Sequence, residues 1–124
     1  MTTISALCTD MIFTSKITEV ARALGVECHV AKDVASLLAR TRTQAPAAPI
    51  ALVIVDMVLR AADAADAIRA LRADPSTSAA RIVAFLPHER DDLRDAATAA
   101  GATSVLTRGQ LAKQLPALIG ASAA

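Results

Sequence analysis

The chain has 124 residues, suited to one domain over 1–124, and 54% of them are hydrophobic, ample for a single core. Its 13 basic and 12 acidic residues leave a formal charge of +1, so no sequence-wide field draws it to nucleic acid or to an anionic membrane. Trp and Tyr are absent and Phe stands only at 13 and 85, which removes the platforms on which a single-strand binder stacks bases.

The hydrophobic pattern changes type several times along the chain. Residues 4–8 (ISALC) read as a short strand, and 14–25 (TSKITEVARALG) as a helix with Ile17, Val20, Ala21 and Leu24 on one face and Gly25 at its end. Residues 26–31 (VECHVA) return to strand. Asp33 is placed to cap a helix whose inner face is Val34, Leu37 and Leu38, before 41–49 (TRTQAPAAP) makes a linker with two prolines.

Residues 51–55 (ALVIV) form the next strand. The alanine-rich stretch 61–74 is a helix with Ala64, Ile68 and Leu71 inward and Arg60, Arg69 and Arg72 towards water. Residues 81–86 (RIVAFL) are a fourth strand. Residues 89–102 make a helix with acidic residues in its first turns, where the macrodipole favours them, ended by Gly101. Residues 103–107 (TSVLT) are a fifth strand. In the last helix Pro116 fits if the helix begins near Ala112, because proline suits a first turn and breaks an interior.

Five repeats of strand then helix give a parallel sheet with helices on both faces and right-handed crossovers. Cys8 and Cys28 fall in strand-like segments without CxxC or Cys/His spacing, and read as reduced structural thiols. The opening MTTISALCTD lacks a basic segment followed by a long apolar stretch, and nowhere do about eighteen apolar residues run together. A soluble, cytoplasmic protein with no membrane partner is expected.

One carboxylate breaks the apolar run ALVIVDMVL. A β-branched run without alternation is a strand covered on both faces, so Asp56 stands near the carboxyl end of a central strand, the edge at which open α/β sheets bind ligands. Asp56 is thus either a functional group or a strand-end residue capping a loop. His29 lies mid-strand and is expected to pack; His88 opens a loop at the same edge.

The segments LVIVDM and AATAAGATSVLTRGQL, and the spacing from Asp56 to Gly101, resemble the receiver domains of bacterial two-component response regulators, the CheY-like family. The resemblance spans nearly the whole chain and implies a flavodoxin-like (βα)5 three-layer sandwich with strand order 2-1-3-4-5. It implies Asp56 as the phospho-acceptor position. Of two acidic residues that would hold Mg²⁺ after the first strand, Asp10 remains and Thr9 takes the other place, so only weak metal binding by Asp10 and Asp56 is expected. Asp63 and Ala64 fall where the family has Asp-Gly. At the switch positions the family's Ser or Thr is Leu86, its aromatic is Val105 and its lysine is Arg108, a planar guanidinium in place of a compact ammonium.

The leading expectation is therefore a degenerate receiver: a non-enzymatic, protein-binding module whose partner is a histidine kinase or another signalling protein. Ala99, Val105, Leu111 and Leu115 are its expected partner face, which also suits a weak homodimer. Arg108 is expected to neutralise Asp56, either in a retained site or as a plain ion pair. A working phospho-receiver using Asp56 with Mg²⁺ is the alternative. A small enzyme or cofactor carrier on the same scaffold is disfavoured, because TDMIFTS after the first strand has no glycine with which to cradle a phosphate.

Overall fold

Strand and helix alternate through the described residues of this computed structural model, 3–44, 50–59 and 61–123, excluding the side chains of 44, 61–63 and 123. The order is β1 (Thr3–Leu7), α1 (Met11–Ala23), β2 (Glu27–Ala31), α2 (Val34–Gln44), β3 (Ile50–Asp56), α3 (Ala61–Ala73), β4 (Arg81–Leu86), α4 (Asp91–Ala100), β5 (Ser104–Thr107) and α5 (Arg108–Ala123). The strands form one parallel sheet ordered β2-β1-β3-β4-β5, the flavodoxin-like arrangement that the sequence implies. Arg60 and residues 45–49, most of the expected linker, lie outside the described residues.

Two cores sandwich the sheet, which is why β3 and β4 show no polar alternation. Ile4, Ala6, Leu52, Ile54, Val83 and Phe85 face α1 and α5, where they meet Phe13, Ile17, Leu111 and Leu115. Leu7, Val53, Val55, Ile82, Ala84 and Leu86 face α2, α3 and α4, where they meet Leu37, Ile68, Leu71 and Leu93. Each large aliphatic side chain removed from water in these layers stabilises the fold by about 1.5–3 kcal/mol.

Helix ends follow local chemistry. Asp10 caps α1 by accepting from the backbone N–H groups of Ile12 (2.9 Å) and Phe13 (3.2 Å), so the helix starts three residues before the expected Thr14. Its buried face consequently shifts to Phe13, Ile17 and Ala21, leaving Leu24 exposed. Asp33 caps α2 as expected, accepting from Ser36 N–H at 2.8 Å. Gly101, at φ 114°, closes α4.

The start of α5 corrects the sequence reading. Thr107 and Gln110 form a capping box: Gln110 N–H donates to Thr107 Oγ1 (3.2 Å), and Thr107 N–H donates to Gln110 Oε1 (2.9 Å). The helix therefore begins at Arg108 and carries exposed Pro116 in its interior. The backbone bond that proline forfeits is offset by burial of Leu111, Leu115, Leu118 and Ile119 on the other side of the helix.

Arg72 is the second correction. Instead of reaching into water it donates to Gly101 O (2.9 Å), Ser78 O (3.0 Å), Ala80 O (2.6 Å) and Thr103 Oγ1 (2.9 Å). It thereby ties the end of α3 to the starts of β4 and β5. Nearby, Arg42 on α2 pairs with buried Asp74 (2.7 Å). At the open edge of β5, Arg94 donates to the Val105 carbonyl (3.1 Å).

Candidate functional site

The period-two alternation of β3 sends Asp56 to the same side as Leu52 and Ile54, under α1 and α5, and leaves it 2% exposed. One carboxylate oxygen, Oδ1, accepts from Val58 N–H at 2.9 Å. The other lies 3.8 Å from the Cys8 sulfur, whose thiol also lies 3.5 Å from the Asp10 carbonyl. Burial pushes the Asp56 carboxyl above its ordinary range, and the Val58 N–H and the Arg108 charge only partly oppose this. Burial likewise raises the Cys8 thiol.

Arg108 does not pair with Asp56, contrary to expectation. Its guanidinium donates to Asp10 Oδ2 at 3.0 Å and lies 5.6 Å from the centre of the Phe13 ring, which itself packs 5.0 Å from Phe85. The cause is where the helices begin. The capping box makes Arg108 the first residue of α5, beside the first turn of α1, so the N-cap carboxylate of α1 is the anion within its reach. Arg108 acts on Asp56 through space, and its Nε is buried without an acceptor.

These commitments bear on the expected Mg²⁺ site. Asp10 gives one oxygen to two helix N–H groups and the other to a guanidinium, and Asp56 Oδ1 is held by Val58. Thr9 is neutral and exposed. Among the described residues no group of three or more His, Cys, Asp or Glu side chains is arranged to hold a metal. Mg²⁺ demands near-octahedral oxygen ligation, and these two engaged carboxylates do not fit it. The Asp63 side chain lies outside the described residues.

Leu86 and Val105 belong to the core under α3 and α4, on the other side of the sheet from Asp56: Leu86 is fully buried, Val105 partly. The expected partner face fails in its two largest members. Leu111 and Leu115 point inward and are 0% and 1% exposed, because α5 turns its i, i+4 row onto β1, β3 and β4. Ala99 is exposed and Val105 half-buried. The large apolar side chains that do meet solvent include Met11 (83%), Ile12 (69%) and Val58 (43%), which flank Asp10 and Asp56 at the carboxyl edge. His29, in the middle of β2, sits 3.2 Å from Glu27, and His88 is exposed beside Glu89.

Three features of this edge went unread in the sequence. The T-x-x-Q spacing of Thr107 and Gln110 marks a capping box and could have placed Arg108 on a helix. Phe13 beneath Arg108 and Cys8 beside Asp56 carry no such local signature.

Comparison with known proteins bears on the fold. No protein-family model and no curated protein sequence matches the chain. Among solved structures, a putative response regulator from Chloroflexus aurantiacus superposes with a TM-score of 0.79 at 19% identity, covering 97% of this chain and 95% of its own. The fold is that of CheY-like receivers. The chemotaxis response regulator CheY4 of Vibrio cholerae gives 0.79 at 16% identity, with 98% of each chain covered. The phosphorylated cyanobacterial phytochrome response regulator RcpA gives 0.75 at 16%, covering 96% of this chain and 89% of its own. On this receiver fold, Asp56 ends the central strand, with Asp10 and Arg108 at the same edge.

Proposed function

We propose that this chain is a receiver-like module of two-component signalling that acts by binding another protein, a histidine kinase or a further signalling component, and not as an enzyme. The observation that carries this reading is the state of the donors around Asp56. The guanidinium is paired with Asp10, and the fourth strand ends in Leu86, a core residue with no hydroxyl to offer a phosphoryl oxygen. Met11, Ile12 and Val58 supply apolar surface for a partner at the same edge, in place of the α4–β5–α5 face. A cytoplasmic setting suits this role, and no described helix is long and apolar enough to cross a membrane.

A working phospho-acceptor is the second reading, favoured by the survival of Asp56 at its strand end with a guanidinium near enough to perturb it. Incubation with acetyl phosphate and Mg²⁺, followed by intact mass and backbone amide spectra, separates the two. The interaction-module reading expects no adduct. An adduct lost in Asp56→Asn, with shifts spreading across residues 86–111, establishes a live switch and overturns it.

A further inference from the structure

Asp10 and Asp56 share one partly buried edge, where the Cys8 thiol lies 3.8 Å from the Asp56 carboxylate and 3.5 Å from the Asp10 main-chain carbonyl. Two like charges so placed need a cation, and α5 delivers one. Arg108 is fixed by the capping box behind it, by Asp10 at 3.0 Å and by the Phe13 ring beneath it. Its Nε is buried without an acceptor, so the Asp10 ion pair and the Phe13 ring are what hold the guanidinium here. We propose that Arg108 is the resident cation of this edge, standing in for a divalent metal and excluding it.

The physical case is one of competition. Arg108 is part of the fold and already held at Asp10, whereas a free ion must be drawn from solution and ordered there. A guanidinium also cannot lose its proton in a protein, so the charge is permanent. Mg²⁺ by contrast must shed strongly held water to enter, and would find one oxygen of Asp10 capping α1 and the other paired. The edge therefore has a single charge state in any divalent-ion background.

Titration of the full chain with MgCl₂, and separately with MnCl₂, tests it through the thermal midpoint and through paramagnetic broadening of amide signals. The wild type is expected to show no saturable midpoint shift and no selective broadening. Arg108→Met keeps the stem over Phe13 but removes the charge. It is expected to gain a saturable rise of several degrees, with broadening confined to residues 8–12 and 56–58, both abolished by adding Asp56→Asn. A saturable wild-type response that Asp10→Ala removes overturns the proposal. So does a folded Arg108→Met variant, judged by its amide spectrum, that ignores both ions.

Discussion

Arg72 and Arg108 stand at opposite ends of the same sheet and are held very differently. Arg72, at the amino ends of β4 and β5, spends its donors on three carbonyls and a hydroxyl. Arg108, at the carboxyl ends, has one ion pair and a buried Nε with no acceptor. The carboxylates follow suit: Asp74 at the amino end is held by Arg42 and by the Ser76 hydroxyl and N–H, while Asp56 is buried with one firm hydrogen bond. The amino end is satisfied architecture. The carboxyl end keeps polar groups that folding alone does not reward.

The sharpest way to break this contrast is to truncate both arginines. Arg72→Ala strands carbonyls that β4 and β5 cannot re-pair, and is expected to cost about 3 kcal/mol in urea denaturation. Arg108→Ala, removing a half-exposed ion pair, is expected to cost less than about 1 kcal/mol. Equal losses would mean that the two ends are held alike.

A smaller effect of opposite sign is expected at Asp56. Asp56→Asn keeps an acceptor for Val58 N–H and removes a desolvated charge, so it should stabilise the chain by about 1 kcal/mol, a few degrees in midpoint. A destabilised Asn variant would show that the carboxylate is better satisfied than its geometry indicates.

The finest distinction lies in pH. Asp74, brought to about 2 from an ordinary 3.8 chiefly by the Ser76 hydroxyl, adds stability that is complete above about pH 4 and lost as pH falls through 2. Asp56 works the other way. Its raised pKa means that the folded chain holds the proton longer than the unfolded one, so stability declines as pH climbs from about 4 through the raised value. The loss caused by Asp74→Asn should shrink on acidification, and so should the gain from Asp56→Asn. Urea midpoints across a pH series read both. An Asp56→Asn gain that does not vary with pH would remove the charge explanation.

The sheet was legible in the sequence because β3 and β4 are covered on both faces, so their apolar runs admit few other placements. What escaped were residues whose roles depend on who arrives from elsewhere. Arg72 sits at a position that a helical wheel sends to solvent, yet the β4 and β5 starts come to it. In α5 the alanines and Pro116 spread apolar character around the helix, so periodicity alone does not show that Leu111 and Leu115 face inward. Asp10 stands where the resemblance implies a metal ligand, and its place before α1 equally suits the N-cap role it takes. The site's residue types were legible; its pairings were not, because they depend on the angstrom-scale placement of two helix starts.

Arg94, reaching from α4 to the Val105 carbonyl, has a consequence for assembly. A strand at the border of a sheet is a template on which another chain can grow, and β5 is such a border. Here the template is only four residues long, and one of its acceptors is already taken by a cation that an incoming strand would have to displace without replacing its charge. Sheet extension is therefore disfavoured at β5, so the five-residue β2 at the opposite border is the edge more open to an incoming strand.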